Sequence, residues 1–497
     1  MKTGRFLCVL FFCLLLVLVW NTARYTISTV PRKYGPMDDR QAPTLTDEQP
    51  KRLQAVRAAI QHAFHAYEAH AWGMDELNPL SKSGINSFDA TGATIVDSLS
   101  TLWLADLMPE FSRAQAWVHD HDFLTVSGNL FETNIRVVGG LLSAGALSKI
   151  PMFQFKAQSI AQRMLSSFDT PSGIPCNRFP GVTTCGSANL AEAGTLILEF
   201  GTLSKVTGDG AYLRAAERAL TSIAKARNSS SCNLQGLYPH TVSTRDGSGP
   251  CSGSMGGGND SMYEYLLKWY LMSGDQTYKA LWEESMVGTQ KHLLSCSLDG
   301  LQFIVSNNGG HRSNVLEHLA CFTPGMLALG NFQQYGALAA SLTESCIAMY
   351  TSTASGVGAD GMSFDTSKEG CDHHTLESAK TVHERNRRFQ LTNAANIQRP
   401  EVLESVFLMW RFTRDEYYRD VAWEIFLRIE KYLRVDTGGY ASAKNVNVVP
   451  PELDDRQQSF FLAETLKYLL LTFSNDSQLD LKKWVFNTEA HPLPVFS

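Results

Sequence analysis

The sequence lacks the positive charge that a nucleic-acid-binding protein needs. Its 43 Lys and Arg residues are outnumbered by 49 Asp and Glu residues, which gives a formal net charge of −6. No segment of the sequence is rich in Lys or Arg. Because affinity for DNA or RNA comes largely from basic side chains that contact phosphates, the composition excludes nucleic acid and argues against other anionic surfaces as partners.

Long apolar runs are also lacking, apart from one at the N-terminus. Lys2 and Arg5 precede 15 consecutive apolar residues, 6–20, a pattern typical of a cleaved signal peptide or of a signal anchor. The run is shorter than the roughly 20 residues that span a bilayer. No clear small-x-small cleavage site follows it, which favours the anchor. In either case the rest of the chain enters the secretory pathway or leaves the cell.

Proline content and the lack of linkers predict the domain organisation. Residues 1–25 should form a short cytosolic part plus the signal anchor or signal peptide. Residues 26–50 hold four prolines among polar residues without apolar periodicity, which predicts a flexible stem. Residues 51–497 contain no linker, so we expect one large domain there.

The ten cysteines lack the C-x-x-C spacing of a zinc site. Cys8 and Cys13 lie in the apolar leader, and eight cysteines follow it. An even number in an oxidising compartment favours disulfides, although eight cysteines allow 105 pairings and the sequence cannot choose among them. Sequons at Asn228, Asn259 and Asn475 fit this compartment, but Asn259 adjoins a candidate site residue, which argues against its glycosylation.

The body of the sequence contains a repeated helical unit. The motif Asp-x-x-Tyr follows an apolar segment at Asp209–Tyr212, Asp275–Tyr278 and Asp415–Tyr418, with spacings of 66 and 140 residues. Each motif separates an apolar helix from a more amphipathic one, which predicts hairpins of 65–70 residues and about seven of them in the body. Seven apolar, small-residue-rich helices give the same number; they start near Thr94, Glu132, Asn189, Asp260, His318, Pro400 and Ser459. The expected fold is all-α, an (α/α)7 barrel with the apolar helices inside.

Three acidic residues stand in the first turn of these otherwise apolar helices. Glu132 comes shortly after the turn residues SGN, Asp260 follows three glycines and an asparagine, and Glu401 follows Pro400, a residue favoured at a helix start. If the helices run in one sense, the three carboxylates meet at one rim of the barrel. A pocket with several carboxylates suits hydrolysis in which one carboxyl donates a proton and another activates water.

Each of these residues also has a purely structural explanation. Acidic side chains in a first turn favour the helix dipole and cap the helix, and Arg136 could simply pair with Glu132 one turn away. Phe460 beside Glu464 is either core plus rim, or a sugar-stacking platform plus a hydroxyl acceptor. His318 would by default be a hydrogen-bonded core histidine. The residues alone therefore predict an α-barrel with an acidic mouth.

Eight blocks of sequence, in one order, point to a single enzyme family. They are AWGMDELNPL at 71–80, TIVDSLSTLWLADL at 94–107, FETNIRVVGGLLSA at 131–144, NDSMYEYLLKW at 259–269, HLACFTPGMLALG at 318–330, RPEVLES at 399–405, SFFLAETLKYLLLTF at 459–473 and FNTEAHPL at 486–493. Through these blocks, over 55–494, the sequence resembles glycoside hydrolase family 47, the class I α-1,2-mannosidases that trim N-glycans in the secretory pathway.

The resemblance implies a fold, a reaction and a cofactor. The family fold is an (α/α)7 barrel, in agreement with the helix count. The family reaction is inverting hydrolysis of terminal α-1,2-linked mannose, dependent on one Ca²⁺ ion. We therefore expect an enzyme that acts on high-mannose N-glycans of glycoproteins; the sequence is silent on oligomeric state, so a monomer is the default. It would be a type II membrane protein of the Golgi or endoplasmic reticulum, or a secreted protein if the leader is cleaved.

The resemblance also implies roles for individual residues. Glu132 matches the proposed general acid, Glu401 the proposed general base and Asp260 a third essential carboxylate; which carboxylate is the base stays open. Thr488 matches the residue that binds calcium through its carbonyl and hydroxyl oxygens, which explains why no Asp-rich calcium loop is visible. Phe460 would lie against the mannose ring. Substrate-pocket or calcium-shell positions are matched by Arg136, His318, Arg399, Glu404, Phe460, Glu464 and Glu489.

The family's disulfide between consecutive barrel helices is matched by Cys321 and Cys346. Among the other cysteines, proximity in sequence favours two pairs and leaves two residues over. The expected pairs are Cys176–Cys185 and Cys232–Cys251, and the remaining residues are Cys296 and Cys371.

Two departures from the family pattern bear on function. Ser100 stands at a structural position where Asp is more common, so activity should be little affected. Gly258 stands where endoplasmic-reticulum members that remove a single mannose carry an Arg that contacts glycan branches. A glycine would leave that space open, which predicts trimming of several mannoses, from Man9 toward Man5.

An alternative of another class stays open. A degradation-enhancing, mannosidase-like protein of glycoprotein quality control would bind glycans rather than cleave them. Such relatives usually lack the paired cysteines, whereas this chain keeps Cys321, Cys346 and the three carboxylates.

Overall fold

The computed structural model describes residues 48–227, 232–298, 300–366 and 389–496. The leader and nearly all of the predicted stem lie outside the described residues, as do Cys8, Cys13, Cys371 and the sequon at Asn228. The first described helix is Glu48–His70, so it includes the last three residues of the predicted stem. No helix in these ranges is long and apolar enough to cross a membrane.

Two layers of helices make up the described part of the chain. The outer helices each have one exposed face; in chain order they are Glu48–His70, Met108–Asp120, Pro151–Met164, Ala211–Arg227, Gln276–His292, the part of Thr323–Thr351 after a break at Asn331, and Glu416–Tyr432. The inner helices are buried on almost all sides; they are Ala93–Leu104, the run Leu130–Glu132, Thr133–Val138 and Gly139–Ser148, the pair Leu190–Gly194 and Ile197–Thr207, Asp260–Ser273, His318–Phe322 with the first part of Thr323–Thr351, Glu401–Thr413, and Phe461–Thr465 with Leu466–Phe473.

The inner helices form a closed ring. Each one packs against the next in the chain, and the seventh packs against the first. The outer helix Glu48–His70 packs against the last inner helix, so the first described helix covers the seventh helix of the ring. The fold is an (α/α)7 barrel, and each inner helix starts within two residues of its predicted position.

The Asp-x-x-Tyr repeat marks the start of outer helices. The side chains of Asp275 and Asp415 accept backbone N–H groups two residues on, at 2.8 and 3.0 Å, and cap their helices. Asp209 accepts the N–H of Ala211 at 2.9 Å in the same way. The tyrosine of each motif is buried between the helix layers. The repeat is thus a capping residue followed by a core residue, which explains why it recurs with the hairpin.

Short antiparallel strands occupy many of the loops. Within the described residues they form eight small sheets: Glu76–Asn78 with Ser83–Ile85, Gly128–Asn129 with Arg178–Phe179, Ser187–Asn189 with Thr241–Ser243, Leu294–Cys296 with Gln302–Ile304, Ser442–Asn445 with Glu452–Asp454, Trp484–Phe486 with Pro492–Pro494, His311–Arg312 with Asn307–Asn308 and Ser252–Gly253, and Val315–Glu317 with Gly361–Phe364 and Phe389–Asn393.

The last of these hairpins in the chain fills the centre of the ring. The turn between Trp484–Phe486 and Pro492–Pro494, residues 487–491, is hydrogen-bonded to several inner helices. Lys467 Nζ donates to the carbonyl of Ala490 at 2.6 Å, and Asn487 Nδ2 donates to the carbonyl of Ile135 at 2.8 Å. These partners stand on different inner helices of the ring. The turn, called here the central turn, therefore lies inside the barrel.

Three expected disulfides are present: Cys176–Cys185, Cys232–Cys251 and Cys321–Cys346. Cys296 is also disulfide-bonded. Of the sequons in the described ranges, Asn475 is exposed, whereas Asn259 is fully buried and pairs with His240. The expectation that Asn259 escapes glycosylation agrees with this burial.

Candidate active site

A cavity of about 280 Å³ opens where the inner helices begin, above the central turn. Nine of the eleven predicted site residues line it: Glu132, Arg136, Asp260, Arg399, Glu401, Phe460, Glu464, Thr488 and Glu489. The other two, His318 and Glu404, contact or adjoin residues of this lining. The first-turn carboxylates therefore meet at one rim, as the helix starts predicted.

The chain turns into each helix so that a carboxylate faces the cavity. Asp260 and Glu401 are the first residues of their helices. Glu132 stands three residues after Asn129, whose side chain accepts the Glu132 N–H at 2.9 Å and caps the helix. The positive end of each helix dipole thus points toward the carboxylates. Capping and the dipole account for the helix starts but not for the shared cavity.

Glu401 is held in its ionised form. Its Oε2 lies 2.6 Å from His318 Nδ1, and His318 Nε2 lies 3.1 Å from the Tyr350 hydroxyl. Burial alone would raise the pKa of Glu401, but the His318 hydrogen bond, the charge of that imidazole and the charge of Arg399 together hold the pKa below its usual range. Because an ionised carboxylate only accepts hydrogen bonds, Glu401 can take a proton from water.

Asp260 differs from Glu401 in its electrostatics. Burial, followed by the negative charges of Glu264 and Glu401, raises the pKa of Asp260 to about 7, although the Ser261 N–H and the Arg399 charge oppose the rise. The Ser261 N–H donates to Asp260 Oδ1 at 2.8 Å. Near neutral pH this carboxyl is therefore protonated in part of the molecules, which places one proton carrier and one proton acceptor in the same cavity.

Glu132 belongs to an ion-pair cluster that reaches the central turn. Arg136 Nε donates to Glu132 Oε2 at 2.8 Å, and Arg136 Nη1 donates to Glu489 Oε1. The same guanidinium lies 3.7 Å from Asp97 and 5.8 Å from the centre of the Phe460 ring. The pair on one helix face therefore exists, but it is part of the cavity wall rather than an exposed surface pair.

Carboxylates crowd the floor of the cavity. Burial and the charges of Glu489, Glu401 and Glu404 raise the pKa of Glu464 well above its usual range. Burial also raises the pKa of Glu404 to about 8, against the nearby Lys268 ammonium at 3.8 Å. Such crowding of buried negative charge is relieved when a cation binds.

The donor chemistry fits a hard cation. Thr488, a residue with a hydroxyl and a carbonyl oxygen, lines the cavity together with the carboxylates of Glu132, Asp260, Glu401, Glu464 and Glu489. Within the ranges that the structure describes, no three His, Cys, Asp or Glu side chains are grouped closely enough to hold a metal by themselves. A Ca²⁺ ion bound by Thr488 oxygens and by water, with carboxylates holding those waters, is compatible with both observations.

Gly258 lines the cavity but is not simply a gap. Its φ is +80°, and a Cβ on it would lie 2.6 Å from Cε1 of His240. Residue 258 thus places no side chain in the cavity, yet the His240 ring stands where a first side-chain atom would go. The sequence predicted open space here, but the positive φ of Gly258 directs a side chain at this position toward the loop that carries His240.

Sequence reasoning missed five buried charged residues around the cavity and the central turn: Asp97, Glu199, Glu264, Lys268 and Lys467. Lys268 makes an ion pair with Glu264 one turn away on the same helix. A signal existed for Asp97 and Glu199, since each is the one charged residue of an apolar inner-helix segment, as in LILEFG. Their partners come from distant segments, which no local pattern identifies.

Comparison with known proteins adds three findings. A family model described as glycosyl hydrolase family 47 matches residues 59–495. Mannosyl-oligosaccharide 1,2-alpha-mannosidase IB of Homo sapiens is 39% identical over 470 residues, covering 90% of this chain and 70% of the relative. Mannosyl-oligosaccharide 1,2-alpha-mannosidase MNS1 of Arabidopsis thaliana is 38% identical over 472 residues, covering 90% and 79%. The solved structure of alpha-1,2-mannosidase from Trichoderma reesei superimposes with a TM-score of 0.83 at 33% identity, covering 90% of this chain and 99% of that one.

Proposed function

The chain belongs to glycosyl hydrolase family 47 and is an α-1,2-mannosidase, and we propose that it trims high-mannose N-glycans by calcium-dependent, inverting hydrolysis. The observation that carries the mechanism is the convergence of Glu132, Asp260 and Glu401 on one cavity, in which the His318 hydrogen bond helps to hold Glu401 ionised. Inversion requires one carboxyl that donates a proton and another that activates water, and this cavity provides both.

We assign the roles as follows. Glu401 is the general base: its ionised carboxylate takes a proton from the water that attacks the anomeric carbon. Glu132 is the general acid: it gives a proton to the glycosidic oxygen as the bond to the leaving sugar breaks. Asp260 is the third essential carboxyl, and in its protonated form it donates a hydrogen bond inside the cavity. Arg136 orients Glu132 through the 2.8 Å contact, and Phe460 packs against the sugar ring.

Calcium would be held by the hydroxyl and carbonyl oxygens of Thr488. When bound, it would supply a positive charge that orients sugar hydroxyls and water. Glu404, Glu464 and Glu489 would hold the surrounding waters, which explains why so many carboxylates share one buried floor. His318 keeps Glu401 ionised, and Arg399, paired with Asp360 at 2.6 Å, adds positive charge beside it.

The site also supports a proposal about extent of trimming and compartment. Gly258 lines the cavity without a side chain, and its likeness to family members that remove several mannoses supports trimming from Man9 toward Man5. The disulfides and the exposed sequon at Asn475 suit the lumen of the secretory pathway. Attachment to the membrane of the Golgi or endoplasmic reticulum would depend on the N-terminal segment.

Release of mannose from a Man9 N-glycan, with calcium and with a chelator, tests this function. We expect Man5 with calcium and little release with the chelator. Accumulation of Man8 would contradict the removal of several mannoses but would still show mannosidase activity. Glycan binding without release would contradict hydrolysis and favour a quality-control protein that only binds glycans.

A further inference from the structure

A buried carboxylate outside the cavity lining fastens the central turn to the barrel. Glu199 lies on the third inner helix, in the segment Ile197–Thr207, and is 0% exposed. The central turn carries Thr488, the residue assigned to calcium. A charged side chain in such an apolar helix needs hydrogen-bond partners to offset the loss of water. The identity of those partners indicates what Glu199 does.

Three donors from three different elements converge on Glu199. The Tyr265 hydroxyl donates to Oε1 at 2.6 Å, and Asn487 Nδ2 donates to the same oxygen at 2.8 Å. Asn134 Nδ2 donates to Oε2 at 2.8 Å. A glutamine could not accept all three, because its amide has one acceptor oxygen and its nitrogen would face a donor.

Asn487 passes this restraint to the backbone of the central turn. Its Nδ2 is held between Glu199 and the carbonyl of Ile135, at 2.8 Å from each. Its Oδ1 accepts the N–H groups of Glu489 at 3.0 Å and of His491 at 2.8 Å. One fixed amide therefore sets the path of the chain on both sides of Thr488.

Tyr265 supplies a second connection. Its hydroxyl donates to Glu199 and accepts the backbone N–H of Thr488 at 3.4 Å. Tyr265 stands on the helix that begins with Asp260. Glu199 is thus one hydrogen bond from Tyr265 and from Asn487, and each of these holds the turn.

We propose that Glu199 is a positioning residue for calcium, which fixes the oxygens of Thr488 where the ion needs them. The inference rests on the proposed function, since it requires calcium at Thr488. When one residue supplies most of the protein oxygens, the placement of that residue decides the affinity. Loss of a partner that orients a metal ligand lowers metal affinity by about 10- to 100-fold.

A purely structural role makes a different prediction. If Glu199 only joined helices, its loss would lower the melting temperature equally with and without calcium. A positioning role raises the calcium concentration needed for stabilisation, because a ligand that binds only the folded state stabilises it according to its affinity.

The test uses Glu199→Gln in the full chain, treated with chelator and then titrated with CaCl₂ while the melting temperature is followed. The matched control is Glu110→Gln. Glu110 is also buried and accepts two side-chain hydrogen bonds, from Gln61 at 3.1 Å and His65 at 2.7 Å, but it lies on an outer helix. Tyr265→Phe removes only a hydroxyl and keeps the test usable if Glu199→Gln does not fold.

We expect Glu199→Gln to raise the half-saturating CaCl₂ concentration by about 10- to 100-fold. Tyr265→Phe should raise it less, and Glu110→Gln should leave it unchanged. Unchanged half-saturation in both Glu199→Gln and Tyr265→Phe would overturn the inference while leaving the calcium site intact. A wild-type chain that calcium does not stabilise would overturn the calcium part of the proposed function, and the inference with it.

Discussion

Replacing His318 with alanine is expected to move the acid limb of the pH–rate profile to higher pH. The 2.6 Å contact between His318 Nδ1 and Glu401 Oε2 is the largest of the influences that hold the pKa of Glu401 low against the effect of burial. A general base works when ionised, so activity is lost as the pH falls through its pKa. Without the imidazole that pKa rises, and the loss begins at a higher pH.

The size of the shift follows from the strength of one hydrogen bond. A hydrogen bond to a charged group contributes about 1.5–3 kcal/mol, and one pKa unit corresponds to about 1.4 kcal/mol. Loss of the His318 contact should therefore move the acid limb of the pH–rate profile up by about 1–2 pH units.

The assay is kcat/KM for mannose release from Man9 as a function of pH, with saturating calcium. His311→Ala serves as control, because His311 is an exposed histidine on a hairpin, and its profile should match the wild type. If His318→Ala lowered kcat/KM by the same factor at every pH, His318 would not govern the ionisation of Glu401 and the reasoning would be wrong.

Three further predictions concern buried charge and backbone conformation. Asp260→Asn should lower kcat/KM by about 100-fold or more. Folding raises the pKa of Asp260 from 3.8 to about 7. As the pH rises from about 4 to about 7, the wild type should therefore lose up to about 4 kcal/mol of unfolding free energy relative to this variant. A difference in unfolding free energy that stays constant with pH, measured by urea unfolding with chelator, would contradict this. Gly258→Ala should lower the melting temperature more than Gly208→Ala. The two glycines have similar φ angles, +80° and +75°, but only at Gly258 would the new Cβ meet another side chain, at 2.6 Å. Equal losses of melting temperature would refute the clash. Lys268→Met should lower the free energy of unfolding by about 3–5 kcal/mol, since it leaves buried carboxylates unpaired. Lys279→Met removes a half-exposed ion pair and should lower it by less than about 1 kcal/mol. Similar losses in denaturant unfolding would show that burial does not matter here.

The barrel could be predicted from the sequence because its signals are local. A capping Asp and a core Tyr three residues on recur in three of the hairpins, and an apolar helix can be recognised from its own residues. The first-turn carboxylates could be found in the same way. Their convergence required only that the inner helices run in one sense, which the shared cavity confirms.

The rest of the site depends on contacts that no local pattern contains. Lys268 pairs with Glu264 on its own helix, but its approach to Glu404 joins two inner helices of the ring. At Gly258 the sequence predicted open space, whereas the φ of +80° directs the missing side chain at His240. Residue type alone does not determine that direction, because it depends on how the loop enters the helix.

The position of the central turn sets the order in which the cavity is assembled during synthesis. The turn follows all the barrel helices in the chain, yet it occupies their centre, and Asn487 contacts a carbonyl 352 residues earlier. Contacts of such long sequence separation form late and slow folding. Ribosomes deliver the ring before the segment that fills it, so the cavity lacks Thr488 and Glu489 until the hairpin has been translated and inserted.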